Sequence, residues 1–203
     1  MGFFDRNRAA LAERGIDATR LPPGQYFTDR FPVLHVGDVP SYDLTAWDLQ
    51  VGGLVRQPLR LSFDELRALP ATEVLTDIHC VTKWSKFDTT WRGVRVRDLL
   101  DLAGRDPAAT HVVGHAEFGY SANLPLEDVL GDKALVAYEY EGAPLEAEHG
   151  FPARLVVPHL YFWKSVKWLR GLELTNGDQP GFWERNGYHN YGDPFREQRY
   201  WGD

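Results

Sequence analysis

The stretch Glu73-Val74-Leu75-Thr76-Asp77-Ile78-His79-Cys80-Val81-Thr82-Lys83-Trp84-Ser85-Lys86 reads as a β-strand over residues 73–81 that carries the chain's one cysteine near its end. Lys83 and Lys86, with His79, favour the thiolate of Cys80 over the thiol, and thiolate is the form that binds a soft metal. A lone cysteine also packs as a small hydrophobe, so this segment alone leaves a purely structural role open.

Upstream, Trp47, Leu49 and Val51 alternate with Asp48 and Gln50, a half-buried strand ending at the Gly52-Gly53 turn. Ser62 caps a short helix through Phe63, Leu66 and Leu69, with Asp64 and Glu65 in the first turn, where the helix dipole favours negative charge, and Pro70 stops it. Residues 7–14 form a short helix ended by Gly15; Pro22, Pro23 and Gly24 then break the chain, and residues 31–43 run extended against the body. Downstream, residues 97–102 form a helix closed by Gly104, and residues 109–115 and 134–140 form strands. Residues 120–126 read as a loop and 126–130 as a short helix; strands at 154–158 and 166–174 flank an aromatic turn, and the tail from Gly177 wraps the body as an ordered loop. Strands do not alternate regularly with helices, which points to an α+β, β-rich mixed fold rather than a doubly wound sheet. Residues 1–30 are expected to be a helix and extended arm, and residues 31–203 a single domain.

The apolar fraction of 43% and charged fraction of 25% are those of an ordinary globular chain, and no apolar run approaches the roughly 18 residues that span a bilayer. A net charge of -7 repels nucleic acid, which is excluded as a partner. One cysteine forms no internal disulfide, and with no secretory signal pattern the expected location is the cytoplasm. There is no glycine-rich phosphate loop, dinucleotide fingerprint, HExxH zinc motif or Gly-x-Ser-x-Gly elbow, so nicotinamide, zinc and hydrolase chemistry are disfavoured.

Two further places carry chemistry. In the otherwise acidic chain, Arg154, Lys164, Ser165 and Lys167 cluster between residues 154 and 168, a donor set suited to phosphate, although a solvated strand face has the same composition. The tail Phe182-Trp183-Glu184-Arg185-Asn186-Gly187-Tyr188-His189 is aromatic and polar.

Taken in order, these places resemble the molybdopterin domain of the sulfite oxidase family, over about residues 31–201. The segment 79–85 followed by Trp91-Arg92-Gly93-Val94 is similar to the family's metal-ligand segment, which implies that Cys80 binds molybdenum beside the dithiolene sulfurs. Within Gly150-Phe151-Pro152-Ala153-Arg154-Leu155-Val156-Val157-Pro158, the resemblance makes Arg154 a cofactor-holding residue, with His149 as a neighbouring polar contact; Ser165, Val166 and Lys167 match the segment that grips the pterin and its phosphate. His35 falls near a histidine that approaches the cofactor, and Tyr188 corresponds to the tyrosine beside the metal. Leu34 and Val33 stand where sulfite oxidases carry an arginine for an anionic substrate, which argues against sulfite itself.

The resemblance implies a Mo-molybdopterin enzyme, with tungsten as the alternative metal, moving an oxygen atom to or from a small-molecule or protein-bound substrate in a two-electron step. Without a haem or flavin signature it implies a separate electron-transfer partner. The competing reading is a non-catalytic molybdopterin-binding or carrier protein.

Overall fold

The computed structural model describes residues 3–203. Two mixed sheets carry the chain. The first contains β1 (Tyr26–Phe27), β4 (Thr72–His79), β5 (Trp84–Arg95), β8 (Leu135–Tyr140), β9 (Ala143–Pro144) and β10 (Arg154–Val156). The second runs in the order β3 (Leu59–Ser62), β2 (Asp48–Gly53), β11 (Leu169–Thr175), β6 (His111–Ala116), β7 (Ser121–Pro125). Most neighbours are antiparallel; β11 lies parallel to β2, and β1 parallel to β5. This is the β-rich α+β architecture expected.

The long β5 organises the first sheet. It pairs with β4 over residues 85–93, with β8 over 91–95, and at its start with β1, so residues 26–27 of the N-terminal arm are joined to the same strand that follows Cys80. Gly93 sits where β5 crosses β8 at a register shift: a Cβ there would strike the Val136 carbonyl oxygen and lie 2.6 Å from the Ala137 Cα.

Local signals act as read for α2 (Phe63–Ala68), where Ser62 and Glu65 form a reciprocal capping box, and for α3 (Val96–Ala103), which Gly104 ends at φ +69°. The helix α1 (Phe3–Glu13) begins earlier than residue 7. Two short helices, α4 (Leu126–Val129) and α5 (Phe182–Arg185), complete the set, with α4 at the expected helix after residue 126. Three expectations need correction. The strand expected over residues 73–81 runs Thr72–His79 and leaves Cys80 in the turn that follows; residues 121–125 are the edge strand β7, not a loop; and the strand expected from residue 166 begins at Leu169, because Trp168 takes φ +52°. For residues 121–125, pairing with β6 overrides the local pattern.

The larger core joins Trp47, Leu49, Leu66, Leu99, Leu100, Val112, Leu124 and Leu172, from the second sheet and the helices, to Val94, Val136 and Leu155 of the first sheet. A second, aromatic core joins Ile78, Cys80, Trp84, Trp91, Tyr161, Phe162 and Trp163. The tail is tied to this framework by a buried ion pair, Lys164 Nζ to Glu184 Oε1 at 2.6 Å, with both side chains 1% exposed. Lys164 also donates to the carbonyls of Asn123 (2.9 Å) and Asn190 (2.6 Å), and Glu184 accepts from Trp163 Nε1 at 2.8 Å.

Removing one partner of such a pair strands the other's charge in low dielectric. Lys164→Met is expected to destabilise the protein by about 3–5 kcal/mol in denaturant titration; a change below about 1 kcal/mol would mean the pair is open to water. Gly93→Ala is expected to cost about 3 kcal/mol by overpacking, read in the same titration, and an unchanged midpoint would contradict the β5/β8 register.

Candidate active site

Cys80 occupies the turn between β4 and β5. Its N–H donates to the Trp84 carbonyl at 2.8 Å, and its own carbonyl accepts from Lys83 N–H at 3.0 Å, with Lys83 held at φ +77°. The thiol sulfur accepts from Thr82 Oγ1 at 3.1 Å. Burial pushes the thiol pKa up, while the hydrogen bonds from Thr82 and the positive charges of Lys167 and Arg199 oppose that push.

The basic groups that act electrostatically on the sulfur are thus not the expected ones. His79 turns to Ser85, Nδ1 to Oγ at 2.9 Å, and burial lowers its pKa to about 4, so the ring is neutral at neutral pH. Lys86 donates to the Asp29 carbonyl at 2.7 Å, and Lys83 is exposed. Lys167 comes instead from a segment far along the chain.

Lys167 Nζ donates to the Leu34 carbonyl at 2.8 Å and the Glu148 carbonyl at 2.7 Å, drawing the extended segment against the site. Burial, followed by repulsion from Arg154, lowers its pKa to about 7. His35 packs edge-on against Trp168 with ring centres 5.7 Å apart, and its Nδ1 lies 2.9 Å from the Gly37 carbonyl oxygen. Its side chain is exposed, so it borders this cluster rather than lining it. His149 stacks on Phe31 at 3.9 Å, and burial, with the charges of Arg154 and Lys167, lowers its pKa to about 4.

Arg154 was expected to meet a phosphate directly, and its geometry differs. The side chain is completely buried, Nη1 donates to the His149 carbonyl at 2.9 Å and Nη2 to the Ser165 carbonyl at 2.7 Å, and the guanidinium lies 4.3 Å from the Phe162 ring centre. Arg154 therefore ties together the two loops that carry His149 and Lys167. Ser165 Oγ accepts from Val157 N–H at 2.9 Å, and Val166 packs in the larger core while its carbonyl accepts from Leu155 N–H. These two residues shape the loop, and Lys167 is the member of the trio with a cation at the site.

Tyr188 is half-buried, wedged between Trp183 (4.6 Å), Trp163 (5.2 Å) and Tyr200 (5.4 Å). Burial raises the phenol pKa, and the neighbouring Tyr200 and Cys80 add to it, so the phenol keeps its proton at neutral pH. Arg199 and Gln25 also reach the Cys80 turn. Sequence reasoning missed both because they stand near opposite ends of the chain with no local motif to mark them.

The residues fit a large anionic, acceptor-rich cofactor. Three buried nitrogens bordering the aromatic core, His149 Nδ1, Arg154 Nε and Trp84 Nε1, have no hydrogen-bond partner among the described residues. All three belong to side chains gathered around Phe31, Trp91 and Phe162. A buried unsatisfied group costs about 1–3 kcal/mol, and three at one place, beside a thiol and a partly desolvated lysine, suit a polar ligand with a soft metal.

Comparison with known proteins agrees. Residues 36–183 match the family model described as the oxidoreductase molybdopterin binding domain. The chain is 55% identical over 185 residues to the uncharacterized oxidoreductase YuiH of Bacillus subtilis (strain 168), covering 91% of this chain and 93% of that protein. It is 32% identical over 191 residues to a putative protein-methionine-sulfoxide reductase subunit, YedZ1, of Azospira oryzae, covering 94% of this chain and 70% of the other. Among solved structures, the sulfane dehydrogenase SoxCD of Paracoccus pantotrophus superposes with a TM-score of 0.63 at 25% identity, over 69% of this chain and 41% of that one. With a family model spanning most of its length and an aromatic thiol site built to suit, the chain belongs to the molybdopterin-binding oxidoreductases of the sulfite oxidase type.

Proposed function

We propose that this protein is a molybdenum-molybdopterin enzyme that moves an oxygen atom to or from a sulfur-centred substrate, small or peptide-borne. The observation that carries this is the buried Cys80 thiol in an aromatic core, hydrogen-bonded by Thr82 Oγ1 and within electrostatic reach of Lys167 and Arg199. The cofactor supplies two-electron chemistry when bound.

The protein's own residues bind and orient. Cys80 is the metal ligand, and Thr82 Oγ1 stabilises its anionic form by hydrogen bonding. Lys167 and His149, with the unpaired Nε of Arg154, would hold the pterin and its phosphate, and Arg154 fixes the spacing of the loops on which the first two ride. Ser165 and Val166 set the backbone that delivers Lys167, and His35 closes the border of the site against Trp168. Tyr188, kept protonated by burial, donates a hydrogen bond to the substrate's oxygen.

The sulfur-centred class is supported by the names of two relatives, a protein-methionine-sulfoxide reductase subunit and a sulfane dehydrogenase. Leu34 and Val33 in place of an arginine, with the exposed Tyr200 ring against Tyr188, favour a neutral substrate over sulfite. Electrons pass to or from a separate protein or small carrier. Among the described residues no helix is long and apolar enough to cross a membrane; the free, buried Cys80 suits a reducing compartment, the cytoplasm.

Elemental analysis of protein purified from a molybdopterin-producing host tests the assignment. The wild type is expected to hold close to stoichiometric molybdenum, and Cys80→Ser to lose its sulfur-to-metal absorption and its oxygen transfer. Absence of metal and extractable pterin, from cells that load a known molybdoenzyme, would overturn the reading; full cofactor with no oxygen transfer on any sulfoxide or thioether would favour a carrier.

A further inference from the structure

Both ends of the chain converge on the turn that follows Cys80. Gln25 is buried, and its Nε2 donates to the Cys80 carbonyl at 3.0 Å. Arg199, 118 residues further along than Val81, donates from Nη1 to the Val81 carbonyl at 2.7 Å. Its Nη2 reaches the Pro23 carbonyl at 3.3 Å, so the same guanidinium joins the tail, the metal-ligand turn and the N-terminal arm.

The approach is built into the backbone on both sides. Gly24 takes φ +67°, and a Cβ there would lie 2.5 Å from Glu197 Oε1 and 3.1 Å from Arg199 Nη2. Arg199 itself is held by its N–H to Asp203 Oδ2 (2.9 Å) and its carbonyl to His189 N–H (3.1 Å).

The side chain of Arg199 is only 9% exposed, and the carboxylate its guanidinium pairs with, Glu197 at 3.7 Å, is half in water. Desolvating a guanidinium against two carbonyls is costly, and an apolar side chain would anchor a tail without that cost. A charge kept there has an electrostatic use, and the group next to the bonded Val81 carbonyl is the Cys80 thiol. The guanidinium also lies 5.0 Å from the ring centre of Tyr161, a member of the aromatic core around that thiol.

We propose that Arg199, assisted by Gln25, is a positioning residue that clamps the Cys80 turn and sets a permanent positive charge beside the metal-binding sulfur. Both residues lie outside the span matched by the family model, 36–183. The proposal rests on Cys80 being the metal ligand, and it adds that the chain ends complete the metal site. A lysine would keep the charge but lose the fork that holds Val81 and Pro23 together.

Three variants, Arg199→Met, Arg199→Lys and Gln25→Met, test the clamp against wild type, each purified from a molybdopterin-producing host. Metal content, the sulfur-to-metal absorption band, the midpoint potential and amide hydrogen exchange at Lys83 and Trp84 are read for each. Arg199→Met is expected to lose roughly tenfold to a hundredfold in metal affinity, to lower the midpoint potential because a positive charge near the metal is gone, and to speed exchange at Lys83. Arg199→Lys should restore most of the potential but not the slow exchange, and Gln25→Met should speed exchange with the potential little changed. An Arg199→Met protein with wild-type metal content, band and potential, altered only in melting temperature, would reduce Arg199 to a tail anchor and sink the proposal. If Arg199→Met does not fold, a wild-type potential and exchange pattern in both other variants would sink it equally. If the wild type holds no metal, the ligand reading of Cys80 fails separately, and unchanged Lys83 exchange in the variants would then also remove the clamp.

Discussion

A thiol, which binds a soft metal only as its anion, lies where water is scarce, at the turn between β4 and β5 and in one aromatic cluster with Trp84, Tyr161 and Phe162. Burial alone disfavours thiolate, so the surroundings must supply hydrogen bonds and positive charge. Thr82 supplies the first from the next residue but one, and Lys167 and Arg199 supply the second from distant segments. Much of the remaining architecture follows from bringing those distant groups to one place. The long β5 joins β1, β4 and β8 beside the turn, and Gln25 and Arg199 reach its carbonyls from distant segments.

Two other buried cations serve that assembly. Arg154 spans the carbonyls of His149 and Ser165 and so fixes the loops on which His149 and Lys167 ride. Lys164, paired with Glu184 and bonded to Asn123 and Asn190, ties β7 to the tail, and Glu184 in turn holds the indole of Trp163 on which Tyr188 rests. Each cation is expensive to bury and depends on partners from several elements. The site is thus held by a few multi-partner charges rather than by one rigid element.

The sequence reveals what is decided locally. The Ser62–Glu65 capping box, Gly104 at a left-handed position, and a cysteine just past the end of a strand are each readable within a few residues. The order of the cysteine, arginine-lysine and tyrosine segments carries the family resemblance, because it is a pattern over the whole chain. What is hidden depends on pairing across the chain. Residues 121–125 look like a loop until β6 pairs with them, and Arg154 looks like a surface phosphate ligand until two backbone carbonyls claim it. Arg199 and Gln25 have no motif at all; their roles exist only because the fold brings residues 25, 81 and 199 together. The charges that the sequence offers the thiol, on His79, Lys83 and Lys86, are its neighbours along the chain; those that act on it, Lys167 and Arg199, come from distant segments.

The central claim is that the Cys80 sulfur binds a molybdenum held by the pterin. X-ray absorption at the molybdenum edge, on wild type and Cys80→Ser prepared alike, examines that bond itself. The account predicts a sulfur shell larger by one ligand in the wild type than in the variant; the same sulfur shell in both would contradict it.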